Sequence, residues 1–172
     1  RYTVLDNKGR LTKNIEYELG SIISEYHILR DENGVTEYHK KNGVLAGKWT
    51  RLYSNGNKAE EGTYKNGKRS GEWNGWYRSD KKNYSCVYED GKRAGNYREW
   101  NSKGKKVKDI DYSNGKRIRE YLVIRDGSGF MEINKVYGAL SGSWTKWYAD
   151  GKKEEEGKYK SGTKVGTWSR FS

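Results

Sequence analysis

Large side chains recur two residues apart along this chain, as in Cys86 and Tyr88 or Ile110 and Tyr112, and no 3.6-residue apolar period is sustained anywhere. That pattern predicts β-strands and essentially no helix. Glycine keeps the strands short. One series, Gly20, Gly43, Gly67, Gly91, Gly115, Gly138 and Gly162, recurs at intervals of 23 or 24 residues, and a fixed period of this kind marks an array of repeated units. A second series of turn positions lies between them: Gly9, Gly34, Gly56, Asp80, Gly104, the Gly127-Ser128-Gly129 segment and Gly151. The intervals leave strands of about 6 to 8 residues. Asn66-Gly67, Asp90-Gly91, Asn114-Gly115, Asn55-Gly56 and Asp150-Gly151 are pairs that accept positive φ at both central positions of a tight hairpin. The expected fold is all-β: an elongated repeat array of antiparallel β-hairpins forming one long twisted meander sheet of about fourteen strands, a single domain over residues 1–172.

Aligning the units reveals columns of side chains. One runs Tyr26, Trp49, Trp73, Tyr97, Tyr121, Trp144 and Trp168, preceded two residues earlier by Gly47, Gly71, Gly95, Gly142 and Gly166. Tyr53, Tyr77 and Tyr148 follow four residues on, so alternation places them on the same face as their tryptophans. Tyr17, Tyr64, Tyr88, Tyr112 and Tyr159 on the partner strands, with Cys86, Ile110 and Ile133, complete an expected buried aromatic face. A further column, Leu29, Leu52, Trp76, Trp100, Ile124, Trp147 and Phe171, is out of phase with it. An odd offset of three residues turns Trp76 to the face opposite Trp73 in a regular strand. Leu52, Trp76, Trp100, Ile124 and Trp147 are therefore the candidate partner-binding surface, and the alternative is a β-bulge that tucks them in as well.

Composition changes the picture in two ways. Only 32% of the chain is hydrophobic, yet it carries 7 Trp, 15 Tyr and 2 Phe, side chains that bury much area while tolerating a wet edge, as a thin sheet requires. The 35 Lys and Arg exceed the 23 Asp and Glu, for a net charge of +12, which brings acidic proteins, nucleic acid and anionic membrane into consideration. Cys86 is the one cysteine, so no intrachain disulfide forms. No apolar stretch is long enough for a transmembrane segment.

Two stretches carry a resemblance to a known family. Glu61-Gly62-Thr63-Tyr64-Lys65-Asn66-Gly67-Lys68-Arg69-Ser70-Gly71-Glu72-Trp73 and Glu156-Gly157-Lys158-Tyr159-Lys160-Ser161-Gly162-Thr163-Lys164-Val165-Gly166-Thr167-Trp168 resemble the MORN repeat variant of many bacterial proteins, whose unit reads approximately Glu-Gly-x-Tyr-x-x-Gly-x-x-x-Gly-x-Trp. The resemblance is strong around Gly67, Gly91 and Gly162 and degraded around Gly20, Gly115 and Gly138; at Gly115, Arg119 replaces the glycine and Tyr121 the tryptophan. It implies a β-hairpin scaffold or interaction surface without catalysis, and extracytoplasmic placement more than cytoplasmic. Bacterial members are often immunity or antitoxin-like components, and eukaryotic relatives are linked to anionic lipids.

Several segments imitate chemical sites. Asp109, Asp111, Ser113 and Glu120 fall at ligand positions of a calcium loop, but Asn114 stands where glycine is required and the flanks are strands. The stretch from Gly62 to Lys68 has phosphate-loop spacing, but Arg69 follows in place of Ser or Thr and a hairpin replaces the helix. His27 and His39, near Asp31 and Glu37, are expected to be exposed polar residues, and Cys86 a small core residue. No metal site and no cofactor is implied.

Lys68-Arg69, Lys92-Arg93 and Lys116-Arg117 follow successive turns and form an expected basic rim, with Lys81-Lys82, Lys105-Lys106 and Lys152-Lys153 on the opposite one. Cations spread over both rims serve as a solvated surface that discourages edge pairing; nucleic acid is disfavoured because it calls for cations gathered on one face beside stacking aromatics. The function expected is a non-enzymatic protein–protein scaffold or accessory subunit of a bacterial assembly. An antitoxin-like inhibitor is the alternative, and electrostatic attachment to anionic membrane or nucleic acid a second one.

Overall fold

A computed structural model describes all residues 1–172 and contains fifteen β-strands and no helix. Contacts divide the chain into two compact units, residues 1–92 and 93–172. The first holds β1 (Tyr2–Leu5), β2 (Leu11–Glu18), β3 (Ser21–Asp31), β4 (Gly34–Lys41), β5 (Val44–Tyr53), β6 (Lys58–Lys65), β7 (Lys68–Trp76) and β8 (Lys82–Glu89). The second holds β9 (Lys92–Trp100, its first residue before the boundary), β10 (Lys106–Ser113), β11 (Lys116–Asp126), β12 (Gly129–Val136), β13 (Ala139–Tyr148), β14 (Lys153–Lys160) and β15 (Thr163–Arg170). Within each unit, strands pair antiparallel with their chain neighbours in sequence order. This is the hairpin meander expected, with β1 as an additional strand.

The turns form as their sequences require. Asn66 and Gly67 take φ of 50° and 76°, and Asn114 and Gly115 take 49° and 78°, the double left-handed geometry whose twist matches that of the strands. Leu19 and Tyr137 adopt the same geometry without an Asn or Asp, at φ of 46° and 48°. The turn therefore survives where its preferred residue has been lost.

Residues directly opposite one another on paired strands share a face of the sheet. On the first face, Trp49 stands opposite Tyr38 and Gly62, and Trp73 opposite Cys86. Trp73 is 0% exposed, within 5.5 Å of the Trp49 ring and 5.1 Å of the Tyr64 ring. Its indole N–H donates to the Thr63 carbonyl at 3.2 Å. Trp168 repeats the arrangement against Trp144 at 5.4 Å and Tyr159 at 5.2 Å. Cys86 is buried here, as expected of a small core residue.

A bulge sets this geometry. Between the pairs Glu61 with Asn74 and Thr63 with Ser70, Gly62 alone faces Gly71, Glu72 and Trp73. Gly71 absorbs the distortion at φ 67°; Gly47, Gly142 and Gly166 do the same at 83°, 91° and 65°, a backbone state that costs a residue with a Cβ free energy.

The two units share one plan, offset by 95 residues in sequence: Tyr17 corresponds to Tyr112, Gly47 to Gly142, Trp49 to Trp144, and Glu60-Glu61-Gly62 to Glu155-Glu156-Gly157. In both, the hairpin without a bulge glycine departs from the rest. Ser24 and Arg119 stand where the glycine would be, neither has positive φ, and each hairpin holds one extra residue, Ile23 or Ile118, instead of two. A one-residue difference in register exchanges the faces of everything beyond it. Glu25 and Glu120 consequently point to the first face opposite Ile15 and Ile110, while Tyr26 and Tyr121 turn to the second face opposite Asn14 and Asp109. The expectation that Tyr26 and Tyr121 belong to the buried aromatic column is corrected accordingly.

Candidate binding surface

The first face is occupied by its own packing, including two carboxylates that are each neutralised where they are buried. Glu25, 8% exposed, lies 2.6 Å from the Lys13 ammonium and 3.1 Å from His27 Nε2. The Lys13 hydrogen bond holds its carboxyl below the usual range despite burial. Glu120, 6% exposed, accepts from Arg117 at 3.1 Å. His27 is not the exposed polar residue expected: its ring stacks on Tyr38 at 4.7 Å, and burial lowers its pKa. His39 is exposed, as expected.

The basic rim divides by residue type. Lys68, Lys92 and Lys116 are exposed. Arg69 instead folds back over the first face, its guanidinium 3.8 Å from the Trp73 ring centre and 3.0 Å from Glu60, which also accepts from the Tyr84 hydroxyl. Burial opposes that charge, but the Glu60 carboxylate together with the hydroxyls of Tyr64, Tyr84 and Tyr88 more than offsets it. Arg93 lies 4.7 Å over Tyr97 and donates to the Tyr112 hydroxyl at 3.1 Å, and Lys164 lies 3.7 Å over Trp168. Arg117 is held by Glu120. Arg69 and Arg93 are thus lids on aromatic rings, where a planar, weakly hydrated cation is favoured, and the solvated ladder is made by the lysines.

The second face carries most of the out-of-phase column. Trp147 stands opposite Phe130 and stacks on it, 5.6 Å between centres at 11°. Lys153 lies 5.7 Å from the Trp147 ring, and Lys105 and Arg125 lie 5.4 and 5.0 Å from Phe130. The Trp147 indole nitrogen is buried and has no hydrogen-bond partner. In the first unit, Lys58 lies 5.3 Å from the ring of half-buried Trp76, and Tyr53 donates to the Trp76 carbonyl at 2.8 Å. Leu52 and Trp100 are half-buried; Leu52 lies along a small groove with Arg10, Arg30 and Tyr53. Ile124 is 41% exposed but stands opposite Met131, two positions before Ile133 on the first face, so the same register difference separates it from Leu52 and Trp147.

The displaced tyrosines form the centre of a second feature, in each unit a polar groove. In the first, the row Thr3, Asn14, Tyr26, His39 crosses β1 to β4, and the groove measures about 550 Å³. In the second, the equivalent row Arg98, Asp109, Tyr121, Asn134 crosses β9 to β12, with a groove of about 540 Å³. Tyr26 donates to Glu37 at 3.0 Å, and burial together with that carboxylate raises its pKa. Tyr121 is raised in the same way, by burial and by Glu132. Asp109 and Asp111 lie along this groove while Glu120 faces the other side of the sheet, so the acids of the apparent calcium loop diverge.

Sequence inspection missed these grooves because it treated all seven units as equivalent. The available signal was the 95-residue offset combined with the missing bulge glycine at Ser24 and Arg119. No helix is long and apolar enough to cross a membrane. Among known proteins, no family model matches the chain and no curated protein matches it.

Proposed function

We propose that the chain is a non-enzymatic interaction scaffold whose second face binds an acidic segment of another protein. The observation that supports it most is the Trp147 platform: an aromatic ring stacked on Phe130, with Lys153 beside the indole and the exposed Arg125 over Phe130. Interface anchors are typically large aromatics on rigid supports, and bordering cations select a partner of opposite charge. Trp76 with Lys58 supplies the corresponding element in the first unit. A role as accessory subunit of a bacterial assembly accords with the resemblance to MORN-like repeats and with the +12 net charge.

The test is affinity capture from native extract by the wild-type chain and by a Trp76→Ala, Trp147→Ala variant, with circular dichroism as the control for folding. The reading expects an acidic protein retained by the wild type and lost from the folded variant. Equal retention by both would remove the second-face aromatics from the interface.

A further inference from the structure

The two polar grooves have a chemistry unlike the rest of this cationic chain, and it points to a ligand class. We propose that each groove is a binding site for a neutral saccharide. The inference uses residues distinct from the Trp76 and Trp147 surfaces and does not depend on the scaffold reading.

The charge balance comes first. In the second unit the groove sets Arg98, Lys106, Arg119 and Lys135 against Asp109 and Asp111; in the first it sets Arg1 against Glu16. On a chain of net charge +12, every carboxylate in these grooves has a cation paired with it. Acids and bases are interleaved within them: Arg119 lies 2.5 Å from Asp111, which also accepts from Asn96, Lys106 lies 2.5 Å from Asp109, and Arg1 lies 2.9 Å from Glu16. A phosphate or carboxylate ligand would meet the aspartates, and a cation the arginines. An apolar ligand would strip water from the remaining donor and acceptor sites of these pairs and replace none of its hydrogen bonds.

A polyhydroxylated ring has what such a surface lacks. Each hydroxyl donates one hydrogen bond and accepts others, so neighbouring hydroxyls span a carboxylate and the guanidinium or amide beside it. A carboxylate offers roughly four lone-pair sites, so Asp111 and Glu16 keep acceptor capacity after their internal pairs are made. The flat C–H face of a pyranose matches an aromatic ring, and the hydroxyl of Tyr26 is tethered to Glu37. The site is thereby organised before a ligand arrives, which limits the ordering cost of binding. The arrangement occurs twice, at positions 95 residues apart in sequence, and in both places it stems from the same absent bulge glycine.

The experiment is a printed array of neutral, sialylated and sulfated glycans read with the labelled wild-type chain, followed by isothermal titration of a retained neutral oligosaccharide at low and high salt. The expected result is retention of neutral glycans, two equivalents per chain, with affinity insensitive to salt. Tyr121→Ala should reduce the stoichiometry to one, and Tyr26→Ala with Tyr121→Ala should abolish binding. Should that double variant fail to fold, Glu16→Ala with Asp111→Ala, which removes acceptors outside the first-face core, should weaken binding on the order of tenfold. Retention of charged glycans only, with affinity lost in salt, would overturn the proposal, as would no retention, or unchanged binding by the folded variants.

Discussion

Gly62 leaves the space that the indole of Trp73 fills: a Cβ on Gly62 would come within 2.1 Å of the ring. No positive φ is involved, so the glycine of the Glu-Gly-x-Tyr pattern is required by packing and not by backbone conformation. Gly62→Ala should therefore destabilise the chain by about 3 kcal/mol through overpacking, measured by urea unfolding. Gly157→Ala, where the ring of the more exposed Trp168 has room to move outward, should cost less.

Arg119 decides which way Tyr121 points. Introducing the missing glycine together with the missing tryptophan, Arg119→Gly with Tyr121→Trp, should restore the wide bulge and bring the new indole to the first face opposite Ile110. Tyr121→Trp alone should leave the indole on the second face opposite Asp109. Nuclear Overhauser contacts of the introduced ring with Ile110 or with Asp109 separate the two outcomes, and contact with Asp109 in the double variant would refute the account.

Arg69 and Lys68 are adjacent in sequence and different in energetics. Arg69→Ala removes a cation stacked on Trp73 and leaves Glu60 without its guanidinium, at an expected cost of about 2 kcal/mol. Lys68→Ala should fall within about 0.5 kcal/mol of wild type, as an exposed surface substitution does. Thermal unfolding of the two variants under matched conditions gives the comparison.

His27 and Glu25 make stability depend on pH in one direction. Burial holds the His27 pKa below its ordinary 6.5, so the unfolded chain takes up this proton more readily than the folded one. Its contribution is complete above pH 6.5 and is lost as pH falls toward the lower folded value. Lys13 and then His27 hold Glu25 below its ordinary 4.5, and that contribution is complete above 4.5 and is lost on further acidification. Stability should thus decline from about neutral pH downward, and His27→Gln should flatten the decline between about pH 7 and 5. An unchanged pH profile of the unfolding midpoint in the variant would exclude His27 as its source.

The hairpin meander was legible before any coordinates because the turn pairs and the alternation are local. Asn66-Gly67 dictates its turn through the φ values of two residues, and Cys86 with Tyr88 declares a face by spacing alone. The Trp76 and Trp147 column was legible for the same reason. Its continuation to Ile124 was not, and neither were the inward turn of Arg69 and the outward turn of Tyr121, since each depends on a partner strand.

From its sequence alone this chain is specified as an all-β repeat with known turns, short strands and a surplus of cations, all consequences of local backbone preference and composition. Which face Tyr26, Tyr121 and Ile124 take was settled only in the tertiary structure. A bulge is a mismatch between two strands, and its narrowing from two extra residues at Gly71 to one at Arg119 shifts every cross-strand partner beyond it by one residue. That shift places a carboxylate in the core opposite Ile110 and opens a groove around Tyr121.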